Sequence, residues 1–282
     1  MTVSAPVPAR GPVGAPPPGL APARQLDLAF APGADGATRI ARRRVSWPWS
    51  LPRGFRLEPG LLTVLPQAAA AALLPGDRWE TRLEAEPGAA ARIISAGATL
   101  VHGGGGPSRV GWDIAVGAGA RLELLPEPWV LTAGACIAQR LDAVVAETGL
   151  LVLFDGFCRQ HPGAPAQAGA SWRADTVLRR PDGRVILREH QAVDEDGLRA
   201  LSRLPGGAGA FGAFTILGPA ARLSGVRSAF PPGPLPLAEG YAASAELRGG
   251  AGLTLRLVSR DGGALVAAKA RLGAAIATAL DG

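Results

Sequence analysis

Apolar and polar positions alternate along most of this chain, and the alternation recurs in four similar units. Each reads as a strand, a glycine turn and a second strand. The units cover residues 79–94, 112–125, 140–153 and 172–187, and their turn glycines are Gly88, Gly119, Gly149 and Gly183. Those glycines lie 31, 30 and 34 residues apart. A period of two is the pattern of a β-strand. A repeat of about 30 residues means supersecondary units that stack, because one unit is too small to bury its own apolar face. In the first unit Trp79, Thr81, Leu83 and Ala85 share one face, while Glu80, Arg82, Glu84 and Glu86 share the other. One face is therefore buried and one wet, or covered by a basic partner. The third unit reads apolar on both faces, as a central layer does.

The flanking segments fit the same scheme less well. Residues 25–30 and 38–45 alternate around a turn at 33–36 and look like a degenerate further copy. Residues 47–52 carry two prolines, which cannot donate to a ladder, so they predict an extended connector anchored by Trp47 and Trp49. Residues 68–74 have helical composition for two turns and are stopped by Pro75 and Gly76. Residues 103–106, 206–212 and 230–236 read as loops by their glycine and proline content. A last strand pair is expected around 261–263. Leu272, Ile276 and Leu280, spaced by four in an alanine-rich stretch, predict a helix over 267–280. The resulting fold class is mostly β: a solenoid-like stack of strand layers with one or two short helices. Residues 1–24, rich in Pro, Ala and Gly, predict a disordered tail; residues 25–282 predict one domain.

Composition narrows the function classes. The chain has 282 residues, 48% hydrophobic and 18% charged, with a net charge of +6. That describes a protein with a substantial core. The basic side chains are almost all arginine; Lys269 is the sole lysine. Arginine favours planar pairing with carboxylates and is enriched at interfaces. The only tight basic cluster is residues 42–44 and Tyr241 is the only tyrosine. Charge interleaved with aromatics, which nucleic-acid binding asks for, is not the pattern here. Two cysteines, Cys136 and Cys158, make no disulfide framework. No charged-then-apolar leader opens the sequence, and the longest apolar run is cut by Pro66 and Pro75. The expectation is a cytoplasmic protein that binds neither membrane nor nucleic acid.

The search for chemistry gives little. Residues 207–212 match a dinucleotide fingerprint in letters, but residues 214–219 after them read as a strand, and it is a helix N-terminus that makes such a loop bind phosphate. No nucleophile elbow is present. Cys158 and His161 have C-x-x-H spacing, and with His190 they could seat a metal in an enzyme, although Cys136 and His102 are scattered. Glu123 lies inside an apolar strand that ends at Pro126. It is either a wet-face residue or an acid turned toward an internal channel. No tightly bound cofactor and no catalysis are the expectation, with a metal-dependent enzyme built on Cys158, His161 and His190 as the rival reading.

Several segments resemble the urease accessory protein UreD (UreH) family. Residues 73–77 (Leu-Leu-Pro-Gly-Asp), Pro87-Gly88-Ala89, residues 94–99, residues 119–128 (Gly-Ala-Arg-Leu-Glu-Leu-Leu-Pro-Glu-Pro), Gly134-Ala135 and Arg140-Leu141-Asp142 stand in that family's order and spacing. Ser95, Leu100 and residues 101–102 depart from its usual letters. The resemblance implies a stacked β fold and a non-catalytic assembly factor that docks on urease apoprotein and binds UreF and, through it, UreG. It further implies nickel in transit through a water-filled tunnel. Asp77, Ser95, Thr99, Glu123 and Asp142 match motif positions and are the weak, transient candidates for that path; Pro126 matches as well.

Overall fold

The structure is a computed structural model and describes residues 24–161, 170–203, 207–238 and 240–281. The expected tail lies outside these residues except for Arg24, whose guanidinium pairs with Asp113 at 3.0 Å.

The described chain opens with β1 (Leu26–Pro32) and β2 (Thr38–Val45). The short strands β3 (Trp49–Ser50), β4 (Phe55–Glu58), β5 (Leu61–Val64), β6 (Gln67–Ala68) and β7 (Ala72–Leu73) come after them. Two full coils come next: β8 (Arg78–Ala85), β9 (Ala90–Ile94) and β10 (Thr99–Val101), then β11 (Ser108–Val116), β12 (Arg121–Leu125) and β13 (Trp129–Leu131). A third coil holds β14 (Cys136–Val145) and the long β15 (Leu150–Arg159). The hairpin β16 (Ser171–Arg179) and β17 (Val185–Val193) leads to helix α1 (Glu195–Ser202). Strand β18 (Ala210–Leu217), helix α2 (Ser224–Ala229), and strands β19 (Gly233–Leu235), β20 (Gly240–Glu246) and β21 (Gly252–Ser259) precede helix α3 (Gly262–Asp281).

Successive coils lie in register and form two facing sheets in a solenoid-like stack of about four turns. In the first sheet β1, β8, β11, β14 and β16 run parallel. In the second, β5, β9, β12 and β15 do. Register places Leu28, Leu83, Ile114, Ala143 and Leu178 in one ladder, all turned inward and all buried. Leu62, Ala91, Leu122 and Leu151 form the facing ladder. Each fully buried leucine or isoleucine contributes about 1.5–3 kcal/mol, which a lone coil could not collect. Gly88 and Gly119 turn the chain from one sheet to the other with φ of +76° and +67°, backbone that a side chain disfavours.

Antiparallel hairpins close both ends of the first sheet. Residues 25–45 and the fourth unit, expected as layers, fold back within the sheet as β1–β2 and β16–β17. The cause at the second is a tight turn: Asp182 accepts from the amide of Arg184 at 2.9 Å, and Gly183 takes φ +87°. In the third unit β15 is buried on both faces as expected, but the outward side of β14 is not.

Other expectations need correction. Residues 68–74 are not helical. Two turns are too short to nucleate, and β7 instead pairs with β10, burying Leu73. Trp47 is 78% exposed, so only Trp49 anchors the connector, its ring 4.9 Å from that of Trp79. Residues 261–263 are not a strand turn but the start of α3, where Asp261 accepts from the amide of Ala264 at 2.8 Å. The last strand pair, β20–β21, turns instead around residues 247–251. Gly212 sits in β18, and β19 occupies part of 230–236. With helices α1 and α2, which the sequence reading lacks, the described residues hold three α-helices against the one or two expected.

Helix α3 covers the outer face of the second sheet. Leu265, Ala268, Leu272 and Ile276 pack with Phe154, Phe214 and Leu255. Among the described residues it is the one helix long and apolar enough to cross a membrane, with a mean hydropathy of 1.4.

Candidate functional site: joined cavities and a charged seam

The turns at residues 67–71 and 95–98 open onto a cavity of about 320 Å³ between the sheets. Four of the six tryptophans wall it: Trp49, Trp79, Trp112 and Trp129. Ser95 and Thr99 are in the wall as well. The Ser95 hydroxyl donates to the carbonyl of Gly97 at 3.0 Å and accepts from the amide of Glu127 at 2.8 Å.

A smaller cavity of about 50 Å³ shares Trp112, Leu124, Pro126 and Trp129 with the first, so the two adjoin inside the stack. Its far wall is polar. The Trp129 indole N–H donates to Gln139 Oε1 at 2.8 Å, and Gln139 Nε2 donates to both oxygens of Asp155 at 3.2 Å. Burial pushes the Asp155 carboxyl up to about 6, against the pull of hydrogen bonds from Gln139 and the amide of Gly156. Glu189, paired with Arg256 close by, adds to the push.

A third cavity, of about 320 Å³, lies on the other side of the second sheet beneath α3 and shares Ile94, Ser95 and Glu127 with the first. A seam of ion pairs crosses its floor. Arg92 and Glu123 are neighbours in the β9–β12 register, and Arg92 Nε donates to Glu123 Oε2 at 2.5 Å. Arg92 also pairs with Glu58 on β4. On the other flank Arg121 donates to Glu123 Oε1 at 2.6 Å and to Asp281 at 2.7 Å. Burial opposes the charge of Arg92, but its bonds to Glu123 and Glu58 outweigh that and raise its pKa. Lys269 of α3 donates to Glu127 at 2.6 Å and to the carbonyl of Leu125 at 3.1 Å, with its ammonium 5.1 Å from the centre of the Phe154 ring. Burial lowers its pKa, and the Glu127 carboxylate opposes that.

The residues singled out in the sequence are thus only partly gathered. Ser95, Thr99 and Pro126 meet at the first cavity, and Ser95 and Glu123 at the third. Glu123 is 3% exposed and faces the helix side, clamped by two guanidinium groups. It is therefore not the wet-face residue of an exposed strand. Asp77 holds its own turn by accepting from the amide of Leu74 at 2.9 Å. Asp142 lies on the outward face of the first sheet, paired with Arg140 and, at 2.8 Å, with Arg179.

The rival metal-enzyme set does not assemble. Cys158 is buried on the outer face of β15 against the first turn of α3, where Gly262 leaves no room for a side chain. Burial, with Asp261 near it, pushes its thiol up to about 11, away from the thiolate a metal needs. His190 is exposed on β17 of the other sheet, bonded to Asp175 at 2.7 Å, and Cys136 accepts from the Ser171 hydroxyl. Among the described residues no three His, Cys, Asp or Glu side chains converge at ligating range.

Sequence reasoning missed Arg92, Glu58, Glu127, Lys269 and Asp155 as members of these sites. Asp155 carries the signal that marked Glu123, an acid inside an apolar strand, and Lys269 is conspicuous as the sole lysine.

Comparison with known proteins bears on the same stretch of chain. The family model described as UreD urease accessory protein matches residues 23–282. The chain is 33% identical over 250 residues to urease accessory protein UreD of Mycolicibacterium smegmatis, covering 87% of this chain and 88% of that protein. It is 32% identical over 260 residues to urease accessory protein UreD 1 of a Bradyrhizobium strain, covering 86% and 90%. A UreD 1 of Pseudomonas syringae is 25% identical over 249 residues, covering 86% and 87%. The sequence segments, the stacked coils they build and this match along the described body together show that the chain belongs to the UreD family of urease accessory proteins.

Proposed function

We propose that this urease accessory protein works as a non-catalytic scaffold of urease maturation in the cytoplasm. It docks on the urease apoprotein, binds UreF and through it UreG, and helps nickel reach the urease active site. The observation that carries the reading is the unbroken family match over residues 23–282. The adjoining cavities favour a role in ion passage. Ser95 and Thr99 border open volume between the sheets, and Ser95 also borders the cavity that holds Glu123. Ser95, Thr99 and Glu123 on these cavities, and Asp77 and Asp142 away from them, are the stations proposed for nickel, held loosely with water, since a tight site would not release its ion. Glu123 becomes available to a cation only when Arg92 or Arg121 lets go of it.

The test is deletion of this chain from a strain that makes urease. Urease purified from the deletion strain should be poor in nickel and in activity, and the chain supplied from a plasmid should restore both. The chain should also co-purify with UreF. Urease with a full nickel complement in the deletion strain would remove the proposal.

A further inference from the structure

Helix α3 packs on strands of the second sheet, and the register of the first sheet's strands sorts the side chains of its outward face into four rows. The first row is Arg78, Arg109, Ala138, Arg173 and Ala192. The second is Glu80, Gly111, Arg140, Asp175 and His190. The third runs Arg44, Asp27, Arg82, Asp113, Asp142, Val177 and Arg188. The fourth runs Arg42, Ala29, Glu84, Ala115, Val144, Arg179 and Val185.

The rows differ in chemistry. The first is basic with no acid in it. The second and third mix both signs and are tied together by the Arg140 pairs to Asp113 and Asp142, while Arg42 of the fourth row reaches Asp27 of the third. Gly111 serves this lattice: a Cβ there would come within 2.0 Å of Glu80 Oε2, so its absence lets Glu80 lie across β11 toward Arg140, 3.7 Å away. The fourth row sets Ala115, Val144 and Val185, the two valines 38% and 47% exposed, among Arg42, Glu84 and Arg179. Arg44, Arg109, Arg173 and Arg188 make no side-chain hydrogen bond or ion pair among the described residues and are exposed. At about 4.8 Å between strands and about 6.7 Å between rows, the face covers roughly 700–800 Å². That is one side of a standard-size protein interface.

We infer that this face docks a protein surface that is acidic opposite the first row and carries apolar groups opposite Val144 and Val185 of the fourth. The inference rests on the maturation reading above, under which the urease apoprotein is the partner to test. A uniformly anionic ligand, such as a phosphate backbone or a lipid surface, fits worse, because Asp113, Asp142 and Glu84 stand among the arginines. A second copy offers no arginine-free acidic row to set against the first, since the second, third and fourth rows all carry arginine. Arg24 reaches this face through Asp113, but residues 1–23 carry no acid to set against its unpaired arginines. A mixed lattice gives specificity and association rate through complementary charge.

The experiment reverses three unpaired charges, Arg109→Glu, Arg173→Glu and Arg188→Glu, in the full chain. Binding to immobilised urease apoprotein is then measured between low and high salt, with the unfolding midpoint as the control for folding. The unmodified chain should bind, and bind more weakly as salt rises. The triple variant should bind about tenfold more weakly or worse and lose most of the salt dependence, with its midpoint unchanged. A single reversal at Arg173 should give an intermediate loss, which guards against misfolding of the triple variant. No binding by the unmodified chain would sink the maturation reading and this inference together. Binding that survives all three reversals would sink the inference alone. So would retention of duplex DNA, or self-association, that the reversals abolish while apoprotein binding stands.

Discussion

Glu123 and Asp155 are both acids inside apolar strands, and their surroundings give them opposite electrostatics. Glu123 is enclosed by the guanidinium groups of Arg92 and Arg121. Removing it in Glu123→Ala leaves two largely buried guanidinium groups without their shared partner, which costs about 3–5 kcal/mol. Denaturant unfolding should read that loss. A loss below about 1 kcal/mol would mean that water already compensates both cations. Asp155 has only neutral donors on its oxygens, and burial holds its carboxyl near 6 against an ordinary value of 3.8. Below the lower value both states are protonated and the residue is neutral in its effect. Between the two only the folded state keeps the proton, so stability falls as pH rises through that window. Asp155→Asn should therefore match the unmodified chain near pH 3 and be more stable by roughly 1–3 kcal/mol at pH 7. Equal stability at both pH values would show that the carboxyl is solvated. Glu123 is visible in the sequence because its strand is short and ends at a proline. Its guanidinium partners are not, because one comes from the neighbouring coil and register decides who meets whom.

At the level of elements, the coil strands and the C-terminal helix are readable in the sequence, and the ends of the stack are not. Period-two alternation with a glycine turn describes both a coil and a hairpin. Only the turn geometry at residues 180–184 separates them. Residues 68–74 mislead because alanine composition speaks for helix, while the pairing of β7 with β10 comes from three-dimensional neighbours. The start of α3 reads as a strand turn because Asp261-Gly262-Gly263 suits either. The carboxylate of Asp261 decides it by accepting from the helix's first turn. Asp261→Ala should lower the unfolding free energy by about 1 kcal/mol, the ordinary cost of a lost N-cap. An unchanged midpoint would place the helix start elsewhere.

For the whole molecule, α3 is what makes the outer face of the second sheet compatible with water. The helix buries Phe154, Phe214, Leu255 and Leu257 jointly with β15, β18 and β21. A chain cut after Arg260 should lose soluble yield and gain binding of a hydrophobic dye, because the strand face it leaves bare is continuous. Soluble, dye-silent truncated protein would mean that the β stack is self-sufficient. The family's general architecture is legible because it repeats along the chain. The cavities are not, because each is walled by residues from three or more coils.

The solitary lysine has a practical consequence. Its ammonium is tucked between Glu127 and the Phe154 ring, so an amine-directed acylating reagent, which has the α-amino group as its other target, should modify Lys269 hardly at all. Any partner or condition that lifts the helix from the sheet would uncover that second amine. One mass increment on one tryptic fragment would then time the event, with no label engineered into the protein.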